Sequence, residues 1–167
     1  EVVVGDVVGH GLDAAVAMGQ LRGAVRALAP TGSPSHVLDA LDLFVEQVPE
    51  GAMATLAYAE LDLENGLLTY ACAGHPPPLL LGSDGGRLLW EGRSLPLGAS
   101  FEGHERMQAT DRLAAGESIL LYTDGLSEAR DGRGEFYDPA ARLAGRVFPG
   151  PDALLTVLAE EVRRHAG

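Results

Sequence analysis

Two apolar runs, Thr55–Leu61 and Leu67–Cys72, are separated by a stretch that closes on Glu64-Asn65-Gly66. An Asn-Gly pair tolerates the positive φ values of a tight reversal, so the two runs are predicted to pair as an antiparallel hairpin. This is the strongest local constraint that the sequence sets on the fold. What precedes the hairpin has a different period. Ala14, Met18, Leu21, Val25 and Leu28 recur at alternating spacings of four and three, one face of a helix over about 11–29. Pro30 and Gly32 end it. Ser33-Pro34 then restarts a helix, with serine as N-cap, proline at the first helical position, and Val37, Leu41, Phe44 and Val48 as the buried stripe. Residues 1–6 form a short β-branched strand that runs into glycine-rich GDVVGHG.

After the hairpin, the three prolines of AGHPPP (73–78) interrupt, because proline cannot donate a ladder hydrogen bond. Strand-like LLLG, the loop SDGG and strand-like RLLW follow. Glu105–Leu113 and Ser118–Tyr122 are predicted as two more strands. The turn TDG leads into a helical LSEAR, and helices near 138–146 and 151–165 close the chain, the last with Leu154, Leu158 and Val162 on one face. Helices and strands are segregated, which argues for α+β and against alternating βαβ units. No repeat or linker divides the chain, so a single domain over 1–167 is expected.

Composition removes several functions. The net charge is -12, with 24 acidic against 12 basic residues. Nucleic acid needs positive charge to displace its counterions, so no nucleic-acid role is expected. No apolar run reaches the 18 or so residues that span a bilayer, and the N-terminus is no signal peptide, so the expectation is a cytoplasmic protein without membrane insertion. The one cysteine, Cys72, excludes an intramolecular disulfide and, within LLTYACA, reads as a small buried thiol. The chain opens in mid-strand with EVVVGD and stops after an amphipathic helix at RRHAG, which predicts a fragment of a longer protein.

Asp6 ends a strand beside backbone freed by glycine, and Asp124 repeats the arrangement where SILLYT meets Asp-Gly. A carboxylate so placed can hold a hard cation together with neighbouring carbonyls. Spacing alone favours the plainer reading of both as turn residues. The surrounding words shift that balance. GDVVGHGLDAA, ATLAYAELDLENGLLTYACAGHPPPLLL, LPLG and LLYTDGLSEARD occur in this order, and together they resemble the SpoIIE/RsbU-type branch of the protein phosphatase 2C superfamily, from Val3 to about Val162.

The resemblance implies a four-layer α/β/β/α sandwich around a binuclear Mn²⁺ or Mg²⁺ centre. Asp6 carries over as the metal-bridging aspartate, Val7 as the residue that lends a backbone carbonyl, and Asp124 as a further ligand. It implies hydrolysis of phosphoserine or phosphothreonine by a metal-activated water, without a phosphoenzyme. The substrate it implies is an anti-sigma-factor antagonist, a STAS-domain protein, with a sensor domain upstream in the parent chain. Two pieces of the family's site are missing. One is an aspartate in a GGD-type motif on strands before GDVVGHG, the other an aspartate in a DD-containing strand after the last helix. The expected domain is therefore truncated at both ends, with open sheet edges prone to association. A homodimer stays open, as does activity with two of the expected carboxylates. The missing carboxylates also motivate the alternative of a non-catalytic phosphatase-fold binding module.

His10 lies four residues after Asp6, and eukaryotic relatives place their motif histidine two after the bridging aspartate. A turn residue near phosphate is therefore favoured over a general acid. His75 in AGHPPP is read as structural. His36, His104 and His165 read as surface, Asp13, Asp84 and Asp131 as solvated, and Glu128 as support for the Asp124 turn. A hydrolase built on His10 or His75 with a nucleophile is disfavoured, since no serine sits in a nucleophile elbow and Cys72 has no cationic neighbour in sequence.

Overall fold

Consecutive β-branched residues keep the backbone extended, and β1 (Val2–Val7) is the first element of the computed structural model, which describes residues 1–48, 53–99, 101 and 103–167. Two compact units are present: residues 1–77 with 90–112, and residues 78–89 with 113–167. In the first, α1 (Gly11–Leu28) follows β1 and gives way to a 3-10 turn at Ala29–Thr31, where Pro30 stops it. α2 (Pro34–Val45) has Pro34 in its first turn. Ser33 occupies the N-cap with an extended backbone but makes no side-chain cap bond. Instead Gln108 Oε1 accepts from the Ser35 N–H and hydroxyl, at 3.1 and 2.9 Å. Val48 of the expected stripe lies past the end of α2 and is only half-buried.

The hairpin forms from β2 (Ala54–Leu61) and β3 (Leu67–Ala73), antiparallel, with Leu61 opposite Leu68. Its turn is longer than an Asn-Gly reversal. The Asp62 carboxylate accepts from the Glu64 N–H at 2.9 Å and the Asn65 amide at 2.6 Å, Asn65 Oδ1 accepts from the Leu67 N–H at 2.8 Å, and Gly66 takes φ 70°. Side chains thus replace the backbone partners that the turn residues lack. β1 lies antiparallel to β2, and β3 also carries β6 (Arg93–Ser94), parallel, and β7 (Ala109–Arg112), antiparallel. β6 has no periodic signal in the sequence, and the strand expected over Glu105–Leu113 contracts to Ala109–Arg112.

Strand alternation turns Val7, Ala54, Leu56, Tyr58, Ala71 and Ala73 toward Leu21 and Val25 of α1 and Val37, Leu38, Leu41 and Val45 of α2. Asp42 is the exception on this helical face. It is buried, and it pairs with Arg106, whose side chain is wholly buried. Asp42 Oδ2 accepts from Arg106 Nε at 2.6 Å and also from its Nη2, while Asp42 Oδ1 accepts from the Gly98 N–H at 3.1 Å. Arg106 Nη1 donates to the Leu95 carbonyl and Nη2 to the Pro96 carbonyl at 3.2 Å. Removing one partner of such a pair strands a buried charge, at a cost of about 3–5 kcal/mol.

In the second unit β4 (Leu79–Gly82) is the middle strand of three, between β5 (Gly85–Leu88) and β8 (Ser118–Leu120), both antiparallel to it. A two-residue turn, Ser83-Asp84, places Gly85 opposite Gly82, so β5 begins two residues before the expected RLLW. The three helices are α3 (Asp124–Ser127), α4 (Pro139–Leu143) and α5 (Pro151–Ala166). The Asp138 carboxylate caps α4 by accepting from the Ala141 N–H at 3.1 Å. α4 stops at Leu143 because Ala144 is extended and Gly145 takes φ 71°. Leu79, Leu81, Leu120, Tyr122, Leu143, Phe148 and Leu154 form this unit's core. Each unit combines one antiparallel-dominated sheet with helices, the α+β organisation read from the sequence. Among the described residues no helix is long and apolar enough to cross a membrane.

Gly74 follows β3 at φ 62°, and a Cβ there would stand 2.4 Å from Pro96 Cγ and 2.9 Å from its Cα. Gly74→Ala is expected to lower stability by about 1–3 kcal/mol, from left-handed strain and this collision together. A drop in the urea midpoint checks it, and an unchanged midpoint would contradict it.

Candidate metal centre

Asp6 and Val7 are the last two residues of β1, opposite Thr55 and Ala54 of β2. Residues of an antiparallel pair alternate between turning their N–H and C=O toward the partner strand and away from it. Val8 N–H donates to the Met53 carbonyl at 2.9 Å. Ala54 spends both its backbone groups on Leu97, donating at 3.2 Å and accepting at 2.8 Å. Val7, facing Ala54, therefore turns its N–H and C=O to the outer edge of β1. There the Asp6 carboxylate curls back and Oδ1 accepts the Val7 N–H at 2.9 Å. The Val7 carbonyl is left outside the ladder, next to an exposed carboxylate.

This corner offers a carboxylate and a carbonyl, both hard oxygen donors, in adjacent residues. The set suits Mn²⁺ or Mg²⁺ better than zinc, which favours thiolate and imidazole. In the second unit Asp124 opens α3 behind an extended Thr123, and its side chain is solvent-exposed. Its carbonyl accepts from the Glu128 N–H at 2.7 Å and the Ser127 hydroxyl at 3.2 Å, so Glu128 supports this turn through its backbone. The structure gives the Asp6–Val7 and Asp124 halves separately, one in each unit. Among the described residues no group of three or more His, Cys, Asp or Glu side chains gathers as a metal cluster.

His10 occupies the N-cap of α1, exposed and without a side-chain cap bond. His75 is buried, with Nδ1 at 2.9 Å from the hydroxyl of Thr55, the residue facing Asp6. This supports the structural reading of His75 and adds Thr55, which sequence reasoning passed over. His36 is exposed as expected. His104 and His165 are half-buried, and His165 Nε2 lies 3.0 Å from the Glu135 carbonyl. Asp13 and Asp84 are exposed. Asp131 organises its own loop, and hydrogen bonds from the Glu135 and Arg133 N–H groups hold its carboxyl below the usual range. Asp42 and Arg106 were also missed. A carboxylate within the apolar face Leu38–Leu41–Val45 was the available signal for Asp42.

Cys72 faces Ala57, which faces Val4, so it shares the Asp6 side of the sheet two rows away. It is fully buried, and burial pushes its thiol up to about 12, with nearby Arg93 pulling the other way. A thiol so protonated is no nucleophile.

The model of the family described as Stage II sporulation protein E (SpoIIE) matches residues 1–167. The phosphoserine phosphatase RsbU of Bacillus subtilis is 33% identical over 136 residues, which cover 80% of this chain and 40% of RsbU. The crystal structure of the RsbU and RsbW domains of a Mycobacterium tuberculosis protein matches at 42% identity and TM-score 0.66, over 78% of this chain and 37% of that one. The SiaA PP2C domain of Pseudomonas aeruginosa matches at TM-score 0.79 over 99% of this chain and 67% of that one. At 18% identity it shows the shared fold alone. The chain thus spans less than half the length of RsbU.

The buried thiol generates a test. Cys72 should resist a disulfide thiol reagent at pH 8 in the folded chain and react at once in urea. Because the folded thiol titrates above its ordinary 9.0, its contribution to stability is present below pH 9 and is lost as pH rises toward 12. Cys72→Ala should flatten the alkaline limb of a stability–pH profile. Rapid labelling of the folded chain would contradict the burial argument.

Proposed function

The chain belongs to the SpoIIE family, and we propose that it is the catalytic domain of a metal-dependent protein serine/threonine phosphatase. The observation that carries this reading is the corner of β1, where the Asp6 carboxylate and the Val7 carbonyl stand outside the ladder in the motif GDVVGHG. Asp6, Val7 and, by the correspondence of its TDG motif, Asp124 are the proposed ligands of Mn²⁺ or Mg²⁺. When bound, these cations supply positive charge that acidifies a water and offsets charge on the phosphoryl oxygens. The chain's own part is to hold donors in place. Val7 N–H fixes one oxygen of Asp6 and leaves the other to face a ligand. No protein nucleophile is required, which agrees with the protonated, buried Cys72.

The proposed substrate is a phosphoserine or phosphothreonine on a STAS-domain anti-sigma-factor antagonist, in the cytoplasm. The phosphoserine phosphatase name of RsbU and the RsbW domain beside the mycobacterial RsbU domain both support it. In this reading the two compact units act as one phosphatase domain, fed by a sensor domain upstream in the parent protein. A second reading is a phosphatase-fold module that binds without turnover. It is favoured by the lack of a three-membered metal cluster among the described residues.

Phosphate release from a phosphorylated STAS protein, with and without Mn²⁺, decides between them. Asp6→Asn and Asp124→Asn should each reduce the Mn²⁺-dependent rate by more than about 100-fold, beyond the 10–100-fold that outer-shell partners of a metal cost. Full activity in both variants would exclude the metal reading. Tight binding without release in the wild type would favour the binding module.

A further inference from the structure

Among the described residues of the first unit, Arg106 and Asp42 form a buried charge pair that the proposed chemistry leaves unused. The pair is not merely packed between elements, since its polar atoms converge on one short strap, residues 94–98. Arg106 donates to the Leu95 and Pro96 carbonyls, and Asp42 accepts from the Gly98 N–H at 3.1 Å. Ser94 is held as well, its hydroxyl donating to the Cys72 carbonyl at 3.1 Å and its carbonyl accepting the Gly74 N–H at 2.9 Å. The residue left in the middle is Leu97, and both of its backbone groups bond Ala54, at 2.8 and 3.2 Å. Ala54 faces Val7, beside Asp6.

We propose that Arg106 and Asp42 are positioning residues for the Asp6–Val7 donors, acting through the strap at Leu97 and the start of β2. This rests on the reading of Asp6 and Val7 as metal ligands. The pair anchors the backbone on either side of Leu97 to α2. Leu97 then fixes where Ala54 sits, and the register carries that placement to Val7. The guanidinium suits this work because its planar fork reaches two carbonyls and a carboxylate together, which an ammonium on a flexible stem cannot do.

Native-state hydrogen exchange on the wild-type chain tests the mechanical half. The N–H groups of Ala54, Leu97 and Gly98 and the Nε–H of Arg106 should open as one unit. Opening of Ala54 and Leu97 ahead of Arg106 overturns the proposal. The metal half uses the double variant Asp42→Leu/Arg106→Met, since replacing a buried pair by apolar residues of similar volume commonly preserves folding. Mn²⁺ alone, titrated calorimetrically, should bind the folded double variant about 10–100-fold more weakly than wild type, with faster exchange at Ala54 and Leu97. Wild-type Mn²⁺ affinity in a folded double variant, whatever its exchange, leaves the pair a purely structural brace and overturns the proposal. If wild type and Asp6→Asn bind Mn²⁺ equally, it is the metal reading that fails, and the exchange result still judges the strap.

Discussion

The contact between Arg106 and Asp42 joins residues 64 apart in sequence and ties the 94–98 strap to α2. Withdrawing two charges from water is costly, and mutual attraction repays that only when the remaining donors and acceptors are also satisfied. Here they are. The carboxylate takes the guanidinium and a backbone N–H, and the guanidinium reaches two carbonyls besides. Leu97 of the strap joins Leu38 and Leu41 in the buried core, and the ion pair holds the strap's backbone to α2.

From this anchoring the sheet geometry follows in steps. The strap occupies the backbone of Ala54 from one side, while β1 approaches β2 from the other. Alternation then obliges Val7 to turn its backbone outward, and the aspartate before it satisfies the N–H. An exposed carboxylate and an uncommitted carbonyl side by side are an ordinary consequence of where a strand ends in its ladder. Their chemical interest comes from the motif they occupy. Gly74 belongs to the same corner, since only a residue without a side chain can pass Pro96 at that distance.

The proposed phosphatase reading draws on two lines. One is the family match across residues 1–167. The other is the donor chemistry at β1, where an exposed carboxylate and a carbonyl suit a hard cation and no thiolate is offered, because the sole cysteine is buried and protonated. Asp124 stands at a helix start in the second unit, with its carboxylate exposed and its carbonyl engaged by the short helix that follows.

Local signals in the sequence determined a good part of this. The three-four spacing of Met18, Leu21 and Val25 marked α1, the Asn65-Gly66 pair marked where the hairpin reverses, and Asp6 was visible as a carboxylate at the end of a strand. These depend on interactions a few residues long, which periodicity and turn chemistry report directly. Asp42 announced itself only as a polar residue on an apolar helix face, and Arg106 not at all, because a buried ion pair is defined by its partner and not by its neighbours in the chain. The two-residue β6, the shortened β7 and the Thr55–His75 bond were hidden for the same reason. The family resemblance carried by the sequence thus pointed to Asp6 and Val7 as candidate donors. Only the tertiary structure decided that the Val7 carbonyl turns away from β2, since that depends on pairing with Ala54, which a strap from more than forty positions away holds in place.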